Sequence, residues 1–120
     1  MLIERIPWSE DAEAHMRNEA GRHCLPFLRA EVIRGRSKLW RCTDGPSLAH
    51  VVTRLDANPL ELVIAYAEGR DMHKFAPWFI DSAHTRGIPL RIHTDSSAMA
   101  RLLRQRWGLQ LQEYVLRTAP

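Results

Sequence analysis

The run "LELVIAYA", residues 60–67, constrains this chain more than any other stretch. Its branched apolar residues follow one another with little alternation, so it reads as a strand covered on both faces. A sheet built around such a strand needs a packing layer above and another below. At 120 residues the chain is long enough for one core of that kind and too short for two, so one domain spanning residues 1–120 is expected. The run stops at Glu68-Gly69-Arg70-Asp71, and a helical pattern follows at once. Many α/β proteins hold a phosphate where a strand feeds a helix through so short a turn, because the N–H groups that open a helix attract anions. Here the residue that would open the helix is Asp71, itself an anion.

The flanking segments supply the layers. "MLIERI" alternates as a strand does, and Ser9 then offers an N-cap, with Glu10, Asp11 and Glu13 in the first turn where they complement the helix dipole. A helix is expected over residues 10–23, with a shallow buried face made of Ala12, Ala14, Met16 and Ala20. Residues 25–35 carry no legible pattern. "SKLWRC" and "SLAHVVTRL" flank Thr43-Asp44-Gly45-Pro46, a strong hairpin signal, and Asp56-Ala57-Asn58-Pro59 makes a second turn. After Asp71, the residues Met72, Phe75, Ala76, Phe79, Ile80 and Ala83 recur at three and four positions until Gly87 ends the stripe. Pro77 would cost roughly 3 kcal/mol inside a helix, so either the helix kinks there or a short turn precedes a main helix starting near it. "IPLRIHT" reads as a strand, residues 96–107 as a helix with Leu102, Leu103 and Trp107 inward, and "LQLQEYVLR" as a closing strand. The order is β, α, β, β, β, α, β, α, β, in one sheet of about six strands.

Charge and side-chain chemistry narrow the function less. Seventeen Lys and Arg against fourteen Asp and Glu, with a pI near 9.3, permit attraction to polyanions without demanding it. Arg34, Arg36, Lys38 and Arg41 surround Trp40, and Arg101, Arg104 and Arg106 stand beside Trp107; such basic stretches with an aromatic suit nucleic acid, and solvated arginines beside a core tryptophan explain them as well. Cys24 and Cys42 form no CxxC pair, which argues against a zinc site or a disulfide framework and for two thiols. His73 and His84 would lie about 16 Å apart along a helix and cannot share a metal. Ser47, Ser82, Ser96 and Ser97 lack a nucleophile-elbow context. No apolar run is long enough to span a bilayer and no secretory h-region opens the chain, so a cytoplasmic location is expected.

The element order resembles the GNAT family, the acyl-CoA-dependent N-acetyltransferases, over nearly the whole chain. Ala100, Leu103, Arg104, Gly108 and Leu109 in "ARLLRQRWGLQ", and Ala83 and Gly87 in "AHTRG", stand at the family's spacings. The resemblance implies an α/β (α+β) fold: a mixed, mostly antiparallel sheet with helices on both faces, splayed between two strands to admit a pantetheine arm. In the family the turn after the fourth strand reads Gln or Arg, two free residues, Gly, one free residue, then Gly or Ala. That frame falls on Tyr66 to Asp71, and only Gly69 fits it. Tyr66 replaces the amide or basic group, and Asp71 replaces the small residue beside the pyrophosphate. A carboxylate about 4 Å from a phosphate is repelled by roughly 1 kcal/mol per charge pair in water, which Arg70 offsets in part. Asp71 is therefore expected as an N-cap standing in for the cofactor's anion. The tyrosine that often protonates the leaving thiolate is Arg104 here, which cannot donate a proton but could stabilise a thiolate. Glu61 is the candidate base, with His50 or His93 as substitutes. The plainer assignment is an exposed strand glutamate and half-buried sheet histidines.

The "GRD" turn is also similar to that of GNAT-like proteins encoded by tailed bacteriophages beside their structural genes, a group that includes an internal virion protein. That resemblance implies a fold kept as an interaction or assembly module after its cofactor site decayed, with protein partners among virion components, a host-cytoplasmic or virion location and no cofactor. A divergent N-acyltransferase using acetyl-CoA or CoA on an amine is the alternative, and a nucleic-acid-binding module the third. Exposed apolar groups on the closing strand could pair across a homo-oligomer as readily as form an ordinary edge.

Overall fold

The computed structural model describes residues 1–16 and 24–92, together with residues 101, 104 and 105. Five strands form one sheet: β1 (Leu2–Ile6), β2 (Lys38–Asp44), β3 (Ser47–Asp56), β4 (Glu61–Gly69) and β5 (Leu90–Ile92). Their spatial order follows the chain; the first three pairings are antiparallel, and β4 and β5 run parallel. Helices α1 (Glu10–His15) and α2 (Leu25–Ile33) join β1 to β2, and α3 (Ala76–Thr85) joins β4 to β5 after a 3₁₀ turn, Met72–Lys74. No helix among the described residues is long and apolar enough to cross a membrane. The helix of 96–107 is described at Arg101, Arg104 and Gln105, which are helical; the closing strand, His93 and the inward Leu102, Leu103 and Trp107 lie outside the described residues, as do residues 17–23 of the first expected helix.

Local chemistry explains where the elements start and stop. Ser9 sits in extended backbone and its Oγ accepts the Ala12 N–H at 3.1 Å, the expected N-cap. The illegible segment is α2, entered by Pro26 and closed by Gly35 at φ 76°. There the Gly35 N–H reaches the Val32 carbonyl and the Arg36 N–H the Glu31 carbonyl, a Schellman motif. The end of α3 repeats the device, with Gly87 N–H to His84 and Ile88 N–H to Ala83. Of the two courses open at Pro77, the chain takes the second: a separate 3₁₀ turn, then a helix with the proline in its first turn, where no hydrogen bond is lost.

Both faces of the sheet are covered. Ala12, Met16, Leu25 and Leu28 of the α1/α2 layer pack on Leu39 and Val52, while Phe75 and Phe79 of the α3 layer pack on Cys42, Ala49, Val51 and Ile64. Phe75 and Phe79 are buried as expected, whereas Ile80 is only half-buried. The triplet Leu62-Val63-Ile64 is buried throughout, since alternate residues serve opposite layers. One bulge breaks this alternation. Val52 faces Tyr66 and Thr53 faces Ile64, which leaves Ala65 as the extra residue, and Ala65 and Tyr66 both turn toward the α1/α2 layer.

Candidate functional site

The turn after β4 is shaped by β3, by β4 and by the 3₁₀ turn that follows. The strand continues to Gly69, two residues past its expected end. Gly69 lies opposite Ala49 at φ 151°, and a Cβ there would come within 2.4 Å of the Ala49 Cα and the Leu48 carbonyl oxygen. The Arg70 N–H donates to that same Leu48 oxygen at 2.9 Å, extending the β3–β4 contact by one residue. Gly69 therefore lets two strands approach, a role that requires no ligand.

Asp71 departs from its expected role. Its backbone is left-handed, φ 61° and ψ 45°, and its side chain makes no capping bond to the 3₁₀ turn that follows. Instead Asp71 Oδ2 accepts a 2.7 Å hydrogen bond from the buried Ser47 hydroxyl on β3, and Lys74 Nζ donates to that hydroxyl at 3.2 Å. The bond from Ser47 holds the Asp71 carboxyl below the usual carboxylate range, helped by Lys74, His73 and Arg70 against partial desolvation. The cap reading fails because a residue in this conformation directs its side chain back across the hairpin end rather than along the turn's axis. Nothing in the sequence pairs Ser47 with Asp71; the signal lies in the β2–β3 hairpin register, which sets Ser47 opposite Asp44 at the same end of the sheet.

The other candidates are not gathered around this turn. Tyr66, first in the family-like frame, turns to the α1/α2 layer, where its hydroxyl lies 2.9 Å from the Met16 carbonyl and 2.5 Å from a Glu68 carboxylate oxygen. Burial, then the bond to Glu68, pushes the phenol's pKa up. Glu61 opens β4 about 25 Å along the strand from Gly69. Glu61 is largely buried rather than exposed, and it pairs with Arg91 at 3.0 Å; Arg91 in turn reaches Asp56, which Arg54 also holds. Arg104 is exposed on its helix.

A feature missed in sequence runs across the sheet beneath α1. Pairing sets Glu4 opposite Arg41, Arg41 opposite His50 and His50 opposite Glu68, so four polar side chains from four strands form one row. Arg41 holds Glu4 through two hydrogen bonds of 2.8 and 3.1 Å to one oxygen. His50 is fully buried, not half-buried, and its ring lies 5.2 Å from that of His15 on α1. Burial, then the His15 and Arg41 charges, lower its pKa against a smaller opposing pull from Asp11. Only strand register reveals this row, because its members stand far apart in the chain. Among the described residues no group of three or more His, Cys, Asp or Glu could hold a metal ion.

No family model and no curated protein matches the chain. Solved structures do. A protein described as a probable acetyltransferase superposes with a TM-score of 0.60 at 10% identity, over 100% of this chain and 99% of the other. A mutant of TTHA1254 from Thermus thermophilus gives 0.60 at 16% identity, over 100% and 97%. A predicted acetyltransferase from Clostridium acetobutylicum, solved with acetyl-CoA, gives 0.57 at 9% identity, over 98% and 96%. The chain thus has the GNAT-like fold expected of its element order; identities this low speak for the fold alone.

Proposed function

We propose that this chain is a GNAT-fold protein whose cofactor turn is closed on itself and which acts by binding protein partners rather than by acyl transfer. The 2.7 Å bond from Ser47 to Asp71 carries the reading: a carboxylate of the chain itself fills the turn where an anionic cofactor would be gripped. Two facts support it. Gly69 is accounted for by the close approach of β3, and the Arg70 N–H already has the Leu48 carbonyl as its acceptor. The finer assignment, a virion or morphogenesis protein of a tailed phage found in the host cytoplasm or the particle, rests on the likeness of the Gly69-Arg70-Asp71 turn alone.

A second reading, a divergent N-acyltransferase taking acetyl-CoA, draws on one specific observation. The bulge at Ala65 bends β4 beyond its three-residue pairing with β5, the kind of divergence through which a ligand arm could pass, and the Clostridium neighbour was solved with acetyl-CoA. Its candidate base Glu61 would first have to leave Arg91.

Calorimetric titration with acetyl-CoA tests the two. The closed turn should bind weakly or not at all, and Asp71→Gly should bind somewhat better, since glycine tolerates the left-handed backbone and removes the carboxylate. A micromolar dissociation constant for the unmodified protein, weakened in Arg70→Ala, would overturn the proposal in favour of the enzyme.

A further inference from the structure

The outer flank of α3 forms a groove with the sheet, well away from the turn. Its floor and wall are aromatic: Trp40 on β2 meets Trp78 on α3 at 5.4 Å between ring centroids, and Trp78 meets the buried Phe79 edge-on at 5.0 Å. The Trp40 indole is fixed by a 2.8 Å bond from its Nε1 to Thr53 Oγ1, while Trp78 is 36% exposed. Every charged residue lining the groove is a cation: Arg36, Lys38, Arg54 and Arg86. Asp56 holds Arg54 and Glu31 touches Arg36 at 3.4 Å, but Lys38 and Arg86 form no ion pair among the described residues. Strand alternation creates this arrangement by dividing the basic stretch around Trp40, with Lys38 and Trp40 facing α3 and Arg41 turned to the opposite face toward Glu4.

We propose that this groove binds single-stranded nucleic acid, with one base stacked on Trp78 and the flanking phosphates on Lys38, Arg36 and Arg86. Aromatic rings stack on any base, and the cations lining the same groove attract the backbone. The cavity, about 220 Å³, is smaller than pockets that enclose whole ligands, roughly 300–1,000 Å³. It therefore suits one ring of a longer strand whose backbone lies along the rim. An acidic peptide would satisfy the cations and leave the aromatic surface without a matching face. None of the residues of the β4 turn lines this groove.

The test is fluorescence anisotropy of a fluorescein-labelled oligothymidylate of about twelve nucleotides, and of its uridylate counterpart, titrated with the full chain. Three phosphate contacts predict a slope of log affinity against log salt near −2. Trp78→Ala should weaken binding between about fivefold and a hundredfold, and Lys38→Glu with Arg86→Glu should abolish it while leaving the circular dichroism spectrum unchanged. Because Arg86 is exposed and Lys38 is only half-buried, the charge variant serves as the test if Trp78→Ala proves poorly folded. Equal affinity in Trp78→Ala, competition by inorganic polyphosphate or an acidic peptide as effective as by the oligonucleotide, or no binding at low salt would each overturn the proposal. A mononucleotide competing as well as the strand would overturn the strand and leave a small-ligand pocket. Coenzyme A captured through its nucleotide at this groove would be lost in Trp78→Ala and untouched by Asp71→Gly, which separates this site from the turn.

Discussion

Replacing Gly69 by alanine asks whether the single residue that fits the family-like frame serves the fold or a ligand. The added Cβ would stand 2.4 Å from the Ala49 Cα, 2.4 Å from the Leu48 oxygen and 2.6 Å from the Ala49 Cβ. Non-bonded carbons prefer about 3.5–4.0 Å, so β3 and β4 must separate there by about 1 Å. Two of the three atoms are backbone and cannot swing aside as a side-chain tip could. Overpacking of this kind costs about 1–3 kcal/mol, and a φ of 151° adds strain of about 1–3 kcal/mol for a residue with a Cβ. The separation would also stretch the Arg70 N–H bond to Leu48. We expect a loss of about 3–4 kcal/mol, a melting temperature lower by about 10–15 °C for a domain of this size, and a denaturant midpoint that falls at constant m. Paired thermal and urea melts of the native and variant proteins measure both. A variant that melts within about 2 °C of native would show that the strands accommodate the methyl and refute the packing argument. If acetyl-CoA binding disappeared in that same stable variant, the glycine would belong to a cofactor site.

Three further perturbations probe other parts of the fold. The folded His50 pKa lies below its ordinary value of 6.5, so near that pH the unfolded chain binds more protons; stability is full above it and falls as pH drops through it. Melts between about pH 7.5 and 5.5 should show that loss, and His50→Gln should flatten it. Burial pushes the Cys42 thiol up to about 12, so native protein should be alkylated at Cys24 and spared at Cys42, with peptide mass spectrometry locating the adduct and urea removing the difference. Tyr66→Phe removes the donor facing the Met16 carbonyl and Glu68 and should cost about 1–2 kcal/mol in urea melts; an unchanged midpoint would show that water replaces it.

What the sequence disclosed followed from local chemistry. The capping by Ser9, the Asp44-Gly45 hairpin, the strand expected at 60–67 and the 3,4-spaced stripe after Asp71 each depend on neighbours a few residues apart; the first two stand where they were expected, the strand extends to Gly69, and the stripe divides between the 3₁₀ turn and α3. The helix α2 was equally local but disguised. Its apolar residues have no single stripe, because Phe27 and Ile33 face solvent while Leu25 and Leu28 are buried, and only Pro26 and Gly35 marked its ends. The candidate site was not legible in this way. Ser47 reaching Asp71, Tyr66 reaching Met16 and the row from Glu4 to Glu68 all depend on register between strands, and a one-residue bulge at Ala65 decides which face each β4 side chain takes.

The same distinction bears on how far the family-like frame can be trusted. Its one matching position, Gly69, is also the one position that the fold requires independently, because no other residue fits against Ala49. A glycine needed by the sheet is present whether or not a phosphate ever lies beside it, so its presence discriminates little between a cofactor turn and a closed one. The informative positions are those for which the sheet has no demand of its own. At Tyr66 the family-like frame has an amide or basic side chain, and the chain supplies a phenol directed to Met16 at the end of α1. At Asp71 the left-handed backbone would favour glycine, and the chain supplies a carboxylate that gains a bond from its own Ser47. Both positions where a ligand would have had the deciding influence are thus occupied by groups that satisfy the protein internally. That asymmetry weighs against an anionic ligand held at this turn.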